Sequence, residues 1–81
     1  MRIPRQISGI EFTKRLKTLG YEITRQNGSH IRLTTQSLGQ HHVTIPAHDF
    51  LRIGTLSSIL QDVAEHFSLQ KKELIEKLFN A

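Results

Sequence analysis

Apolar positions recur at helical spacing near the start of the chain and switch to alternation at Tyr21. In "ISGIEFTKRLKTLG", Phe12, Leu16 and Leu19 form a stripe at steps of four and three, while Lys14, Arg15 and Lys17 fall largely off it. That spacing predicts a helix buried on one side. Its ends are marked as well. Ser8 stands three residues before Glu11, the capping-box spacing, and Ile7 and Phe12 occupy the hydrophobic-staple positions across that cap. Gly20 supplies the left-handed residue that stops the helix.

"YEITRQ" then alternates, with Tyr21 and Ile23 on one face and Glu22, Thr24 and Gln26 on the other. "HIRLTT" sets Ile31 and Leu33 against His30, Arg32 and Thr34. The Asn-Gly between them is a strong hairpin signal. A two-residue loop at Asn27-Gly28 would pair Ile23 with Arg32, and paired residues share a face. That register mixes an apolar residue with a charged one. A three-residue loop, or a bulge after Gly28, instead pairs Ile23 with Leu33 and Gln26 with His30.

A second turn, "QSLGQ", leads into "HHVTIP", with Val43 and Ile45 inward, His42 and Thr44 outward, and Pro46 ending the pairing. "AHDFLRIG" is expected to be irregular. Thr55 is placed to cap a helix whose stripe is Leu56, Ile59, Leu60, Val63 and Phe67. "SLQKKELIEKLF" forms a last amphipathic helix with Leu74, Ile75 and Leu78 inside and Ser68 as its cap. The order αβββαα over residues 1–81 predicts one two-layer α+β domain. It has a three-stranded antiparallel sheet with helices on one face. The other face, carrying Thr24, His30, Arg32, His42 and Thr44, stays open.

Composition narrows the chemistry. The chain has no cysteine, which removes disulfides, thiolate catalysis and Cys-based zinc sites and points to a reducing cytoplasm. No stretch approaches the roughly 18 apolar residues that span a bilayer. "MRIPRQISG" lacks the apolar run and cleavage site of a signal peptide. Eleven Lys plus Arg against seven Asp plus Glu leave +4, which favours a polyanionic or acidic partner.

No phosphate-cradling loop and no HExxH occurs, and "GSH" lacks the second glycine of a nucleophile elbow. His41 and His42 point to opposite faces of a regular strand, so they cannot share one metal, and no metal site is expected. His30 is the residue with a chemical opening. An imidazole titrates near neutral pH and can move a proton to or from a reacting oxygen. RNA carries its own nucleophile, the 2′-hydroxyl, so its cleavage needs only a proton-transfer group, positive charge and an in-line geometry. His30, with Arg32 two residues on and Arg25 nearby, meets that minimum. The same spacing also suits a solvated strand-edge histidine, and Lys14, Arg15 and Lys17 suit either phosphate contacts or an ordinary wet helix face.

The motifs, in order, resemble the HicA (YcfA-like) family of type II toxin–antitoxin systems. The likeness runs from about Ile3 to Leu60. It rests on a Ser-Gly-x-Glu helix start, Gly-Ser-His after the first strand, a Val-Thr-Ile-Pro-x-His segment and Gly-Thr-Leu opening a helix. The resemblance implies a double-stranded-RNA-binding-domain-like fold and a metal-independent mRNA interferase that halts translation. It places the essential histidine at His30, with Gly28 and Ser29 completing the motif, and implies a HicB antitoxin that covers the site. Arg32, Arg25, Lys14 and Lys17 are the expected RNA-binding cations. The chain departs from the family after "SSIL", where it continues without the usual glycine, and Arg52 stands where a lysine is common. The rival readings are a non-catalytic RNA-binding module of the same fold and a protein-interaction module.

Overall fold

A computed structural model describes residues 6–79. Residues 1–5, where the N-terminal reading falls and the family likeness begins, lie outside the described residues, as do residues 80–81. The first helix, α1 (Gly9–Leu16), starts where the capping signal puts it: Ser8 Oγ accepts from Glu11 N at 3.0 Å. Glu11's own carboxylate turns to Arg15 Nε at 3.1 Å, so the two halves of the capping box are divided between the cap and an i,i+4 ion pair. Ile7 and Phe12 are both buried beside the cap. The helix tightens into a 3₁₀ turn, Lys17–Leu19, and stops at Gly20, whose φ of 87° suits glycine.

Three antiparallel strands follow in the order β1 (Glu22–Asn27), β2 (His30–Thr35) and β3 (His41–Pro46). Ile31, Leu33, Val43 and Ile45 face the helices and are buried; His30, Arg32, Thr34, His42 and Thr44 take the open face. The expected Ile23–Leu33 pair forms, but Gln26 pairs with Ile31 rather than His30, and Asn27 pairs with His30. The extra residue is not in the turn. It is a bulge between Ile23 and Arg25, in mid-strand. Beyond that bulge the faces of β1 are exchanged: Arg25 pairs with Arg32 on the open side, and Gln26 pairs with the inward Ile31. Ile23 lies opposite a buried leucine yet is 45% exposed, because β1 is the edge strand and is exposed along its length.

α2 (Ile53–His66) begins earlier than the Thr55 cap predicts. Arg52 is its N-cap, with no side-chain cap bond, and Thr55 lies inside the first turn. Leu56, Leu60 and Val63 are buried, while Ile59 and Phe67 pack partly buried against the same core. α3 (Lys71–Phe79) is not capped by Ser68, which instead takes a left-handed φ of 56° between the helices. Its cap comes from Glu73, whose Oε1 accepts from Gln70 N at 2.9 Å. Leu74, Ile75 and Leu78 are buried, and Phe79 stacks on Phe12 at 6.3 Å. α1 and α2 thus cover one sheet face and α3 packs against both helices, an α+β arrangement of the double-stranded-RNA-binding-domain type.

A polar clamp fixes α2 to the sheet. Tyr21 is buried, and burial followed by the nearby Asp62 charge pushes its hydroxyl pKa up. Its hydroxyl shares a hydrogen bond with His41 Nδ1 at 2.7 Å. On the other side of the ring, His41 Nε2 donates to Asp62 Oδ1 at 3.2 Å, since a carboxylate only accepts. His66 stacks on His41 at 4.4 Å and donates from Nε2 to Ser37 O at 2.8 Å. His41 and His42 do point to opposite faces, as their adjacency requires.

Candidate active site

The turn that presents His30 is Gly28-Ser29, a two-residue loop closed by the Asn27–His30 pair. Gly28 has a φ of 62°, and Ser29 is not in the positive-φ region, the signature of a type II′ hairpin turn with glycine first. A Cβ on Gly28 would meet nothing within 4 Å, so backbone conformation rather than crowding calls for glycine. Ser29 contributes its carbonyl, which accepts from Ala47 N at 2.6 Å. His30 is exposed, pairs on its other side with Pro46, and so begins the central strand with a backbone neighbour on each flank.

The mid-strand bulge supplies the charge. In an uninterrupted β1, Arg25 would share the face of Ile23; the extra residue puts it opposite Arg32 instead. Bulges are a recurrent means of re-aiming a side chain at a site. Thr24 holds this one, its Oγ1 lying 2.8 Å from Thr34 Oγ1 and 3.4 Å from Arg32 O. Thr34 Oγ1 in turn is 2.7 Å from His42 Nδ1. Two guanidinium groups directly across a strand pair repel each other and destabilise the sheet, unless an anion is shared between them. The row Arg25–Arg32–Thr44 lies next to the row Asn27–His30–Pro46 on the same open face.

The comparison with known families decides the class. The family model described as the HicA toxin of bacterial toxin-antitoxin matches residues 9–64, well over half of the chain. The chain belongs to the HicA toxin family. No curated protein and no solved structure matches it significantly.

Three HicA-type motifs converge at one end of the sheet. The glycine of Ser8-Gly9 opens α1 directly against β3: a Cβ there would lie 1.9 Å from Pro46 O. Gly9 N donates to His48 O at 3.0 Å, and Leu51 N donates to Ile7 O at 2.9 Å. The Val-Thr-Ile-Pro-x-His segment therefore binds α1 on one side and, through Ala47, the Gly-Ser-His turn on the other. Gly54-Thr55-Leu56 lies in the first turn of α2. The stretch after "SSIL" completes α2 and then forms α3, which lies wholly outside residues 9–64.

The first-helix cations belong elsewhere. Lys14, Arg15 and Lys17 lie in the helix layer, across the sheet from His30, and the fold does not bring them to it. Arg15 is already engaged with Glu11, with Leu78 O at 3.2 Å and with the Phe79 ring. Lys17 lines a groove with Tyr21, Glu22 and Ile23 at the opposite end of β1. Among the described residues no group of three or more His, Cys, Asp or Glu is arranged to hold a metal ion.

Proposed function

We propose that this HicA-family toxin is a metal-independent endoribonuclease that cleaves mRNA in the cytoplasm and so stops translation. The observation that carries this reading is His30 on the open sheet face, beside the opposed Arg25–Arg32 pair. A scissile phosphate seated between the guanidiniums relieves their repulsion, and the pair neutralises the charge that develops on its non-bridging oxygens. The neighbouring 2′-hydroxyl attacks phosphorus and the bond to the 5′-oxygen breaks, leaving a 2′,3′-cyclic phosphate and a 5′-hydroxyl. His30 acts as general acid or base, moving the proton that the attacking oxygen loses or the leaving oxygen gains. Gly28 and Ser29 position it. Lys14 and Lys17 contact phosphates of RNA that reaches round the edge of the molecule.

Membership of a toxin–antitoxin family implies a neutralising partner. A HicB-like antitoxin with an acidic surface suits a chain of net charge +4 and would silence the enzyme by covering His30. Purified protein incubated with mRNA in excess EDTA is expected to yield fragments ending in cyclic phosphate. RNA bound and left intact would favour the non-catalytic RNA-binding module instead.

The arginine pair makes a separate prediction. Arg25→Thr is expected to raise the stability of the free protein by a few tenths of a kcal/mol, because a like-charge pair is removed. The same change should weaken RNA binding and lower its salt slope by about one. Chemical denaturation, and binding titrations at several salt concentrations, measure the two effects; a destabilised variant with unchanged RNA affinity would contradict both.

A further inference from the structure

The end of the open face away from His30 carries a polar groove of about 320 Å³, the lower end of the size range of small-ligand sites. Glu22 and Thr24 of β1, Thr34 of β2, and Gln36 and Ser37 of the following turn line it, above Gly20. Thr34 is two residues beyond Arg32, so the groove begins roughly 7 Å along the strand from the arginine pair. A chain whose phosphate sits between Arg25 and Arg32 can place the next base here.

We propose that this groove is a nucleobase pocket that selects guanine beside the cleaved phosphate, with the Glu22 carboxylate as the selecting group. The inference rests on the RNA-cleaving role proposed above. The threonine hydroxyls are already tied into the chain from Arg32 O through Thr24 and Thr34 to His42, so they form a fixed wall. The groups left for a ligand are the Glu22 carboxylate, the Gln36 amide and the Ser37 hydroxyl, all on exposed residues. Glu22 takes part in no ion pair among the described residues. The turn that carries the other two is held, since Gln36 O accepts from Gly39 N and Ser37 O from His66.

A carboxylate on a face that binds a polyanion repels the backbone, so its use must lie with the base. Guanine alone presents two adjacent donors, N1–H and the 2-amino group, that match the two carboxylate oxygens. Its O6 accepts from the Gln36 amide or the Ser37 hydroxyl. Adenine and cytosine set an amino group beside a ring-nitrogen lone pair that the carboxylate opposes. Uracil offers one N–H between two carbonyls.

The test uses 2′-O-methyl RNA hexamers, which lack the attacking hydroxyl, with each of the four bases at one position. Affinities read by fluorescence anisotropy are expected to be roughly ten- to a hundredfold tighter for guanine. Glu22→Gln should erase that difference without weakening the other three oligomers. Equal affinity for all four bases, or a guanine preference that survives Glu22→Gln, overturns the pocket. All-ribose hexamers run in parallel separate the two readings. Discrimination without cleavage keeps the pocket and removes the nuclease role, whereas cleavage without base preference removes the pocket alone.

Discussion

Replacing His30 by Ala is expected to lower the rate of RNA cleavage by about 10²–10⁴-fold, the usual contribution of a positioned general acid or base. Growth arrest on expression should disappear with it. The fold is expected to survive unchanged. His30 is exposed and lies outside the core, and the backbone bonds that hold the turn run through Ser29 O and Ala47 N. RNA affinity should also fall little, because the phosphate is held by Arg25 and Arg32. The expected signature is therefore a loss in kcat with KM and melting temperature nearly constant. Full cleavage by a well-folded His30→Ala variant would remove His30 from the reaction. An equal loss of binding and rate would make it a binding residue.

Gly9→Ala carries the largest expected effect on stability, and here the sign is the test. At an ordinary helix position, glycine to alanine stabilises by roughly 0.5–1 kcal/mol. At Gly9 the added Cβ would meet Pro46 O at 1.9 Å, Pro46 C at 2.9 Å and Ala47 Cα at 3.0 Å. All three are backbone atoms of the segment that also holds the His30 turn, so no flexible side chain can yield. Relieving the overlap requires α1 and β3 to separate, which breaks the Gly9–His48 and Ile7–Leu51 backbone bonds. A destabilisation of about 3 kcal/mol follows, at the upper end for overpacking. In a domain of this size that corresponds to a fall in melting temperature of roughly 12–24 °C. A melting temperature equal to or above that of the parent protein would show that the α1–β3 contact is not the constraint described.

Much of the fold is legible in short stretches of sequence because the forces that set it act over short distances. The Ser8 cap, the Gly20 stop, the inward Ile31, Leu33, Val43 and Ile45, and the apolar stripes of α2 and α3 each depend on residues within a turn or on alternate positions of one strand. The placement of His30 beside a hairpin turn is legible for the same reason, since a hairpin signal and a histidine adjoin. Helix starts are harder. Thr55 and Ser68 are good capping residues on chemistry alone, but the helices begin at Ile53 and Lys71, because packing of α2 on the sheet and of α3 on α1 and α2 sets where each helix axis enters.

The register of β1 shows where local reading stops. Face matching requires Ile23 opposite Leu33, and the tight Gly28-Ser29 turn requires Asn27 opposite His30; the two registers differ by one residue. Sequence alone shows that an extra residue is needed and suggests the turn for it. The folded chain keeps the two-residue turn and places the bulge at Thr24, where the hydroxyls of Thr24 and Thr34 and the carbonyl of Arg32 hold it. That choice moves Arg25 to the open face, opposite Arg32, where the proposed site needs it. The residues of the proposed chemistry, His30, Arg25 and Arg32, are visible in the chain. Their meeting on one face depends on a balance between turn closure, cross-strand packing and side-chain hydrogen bonds from distant residues, a balance that exists only once all three strands are paired.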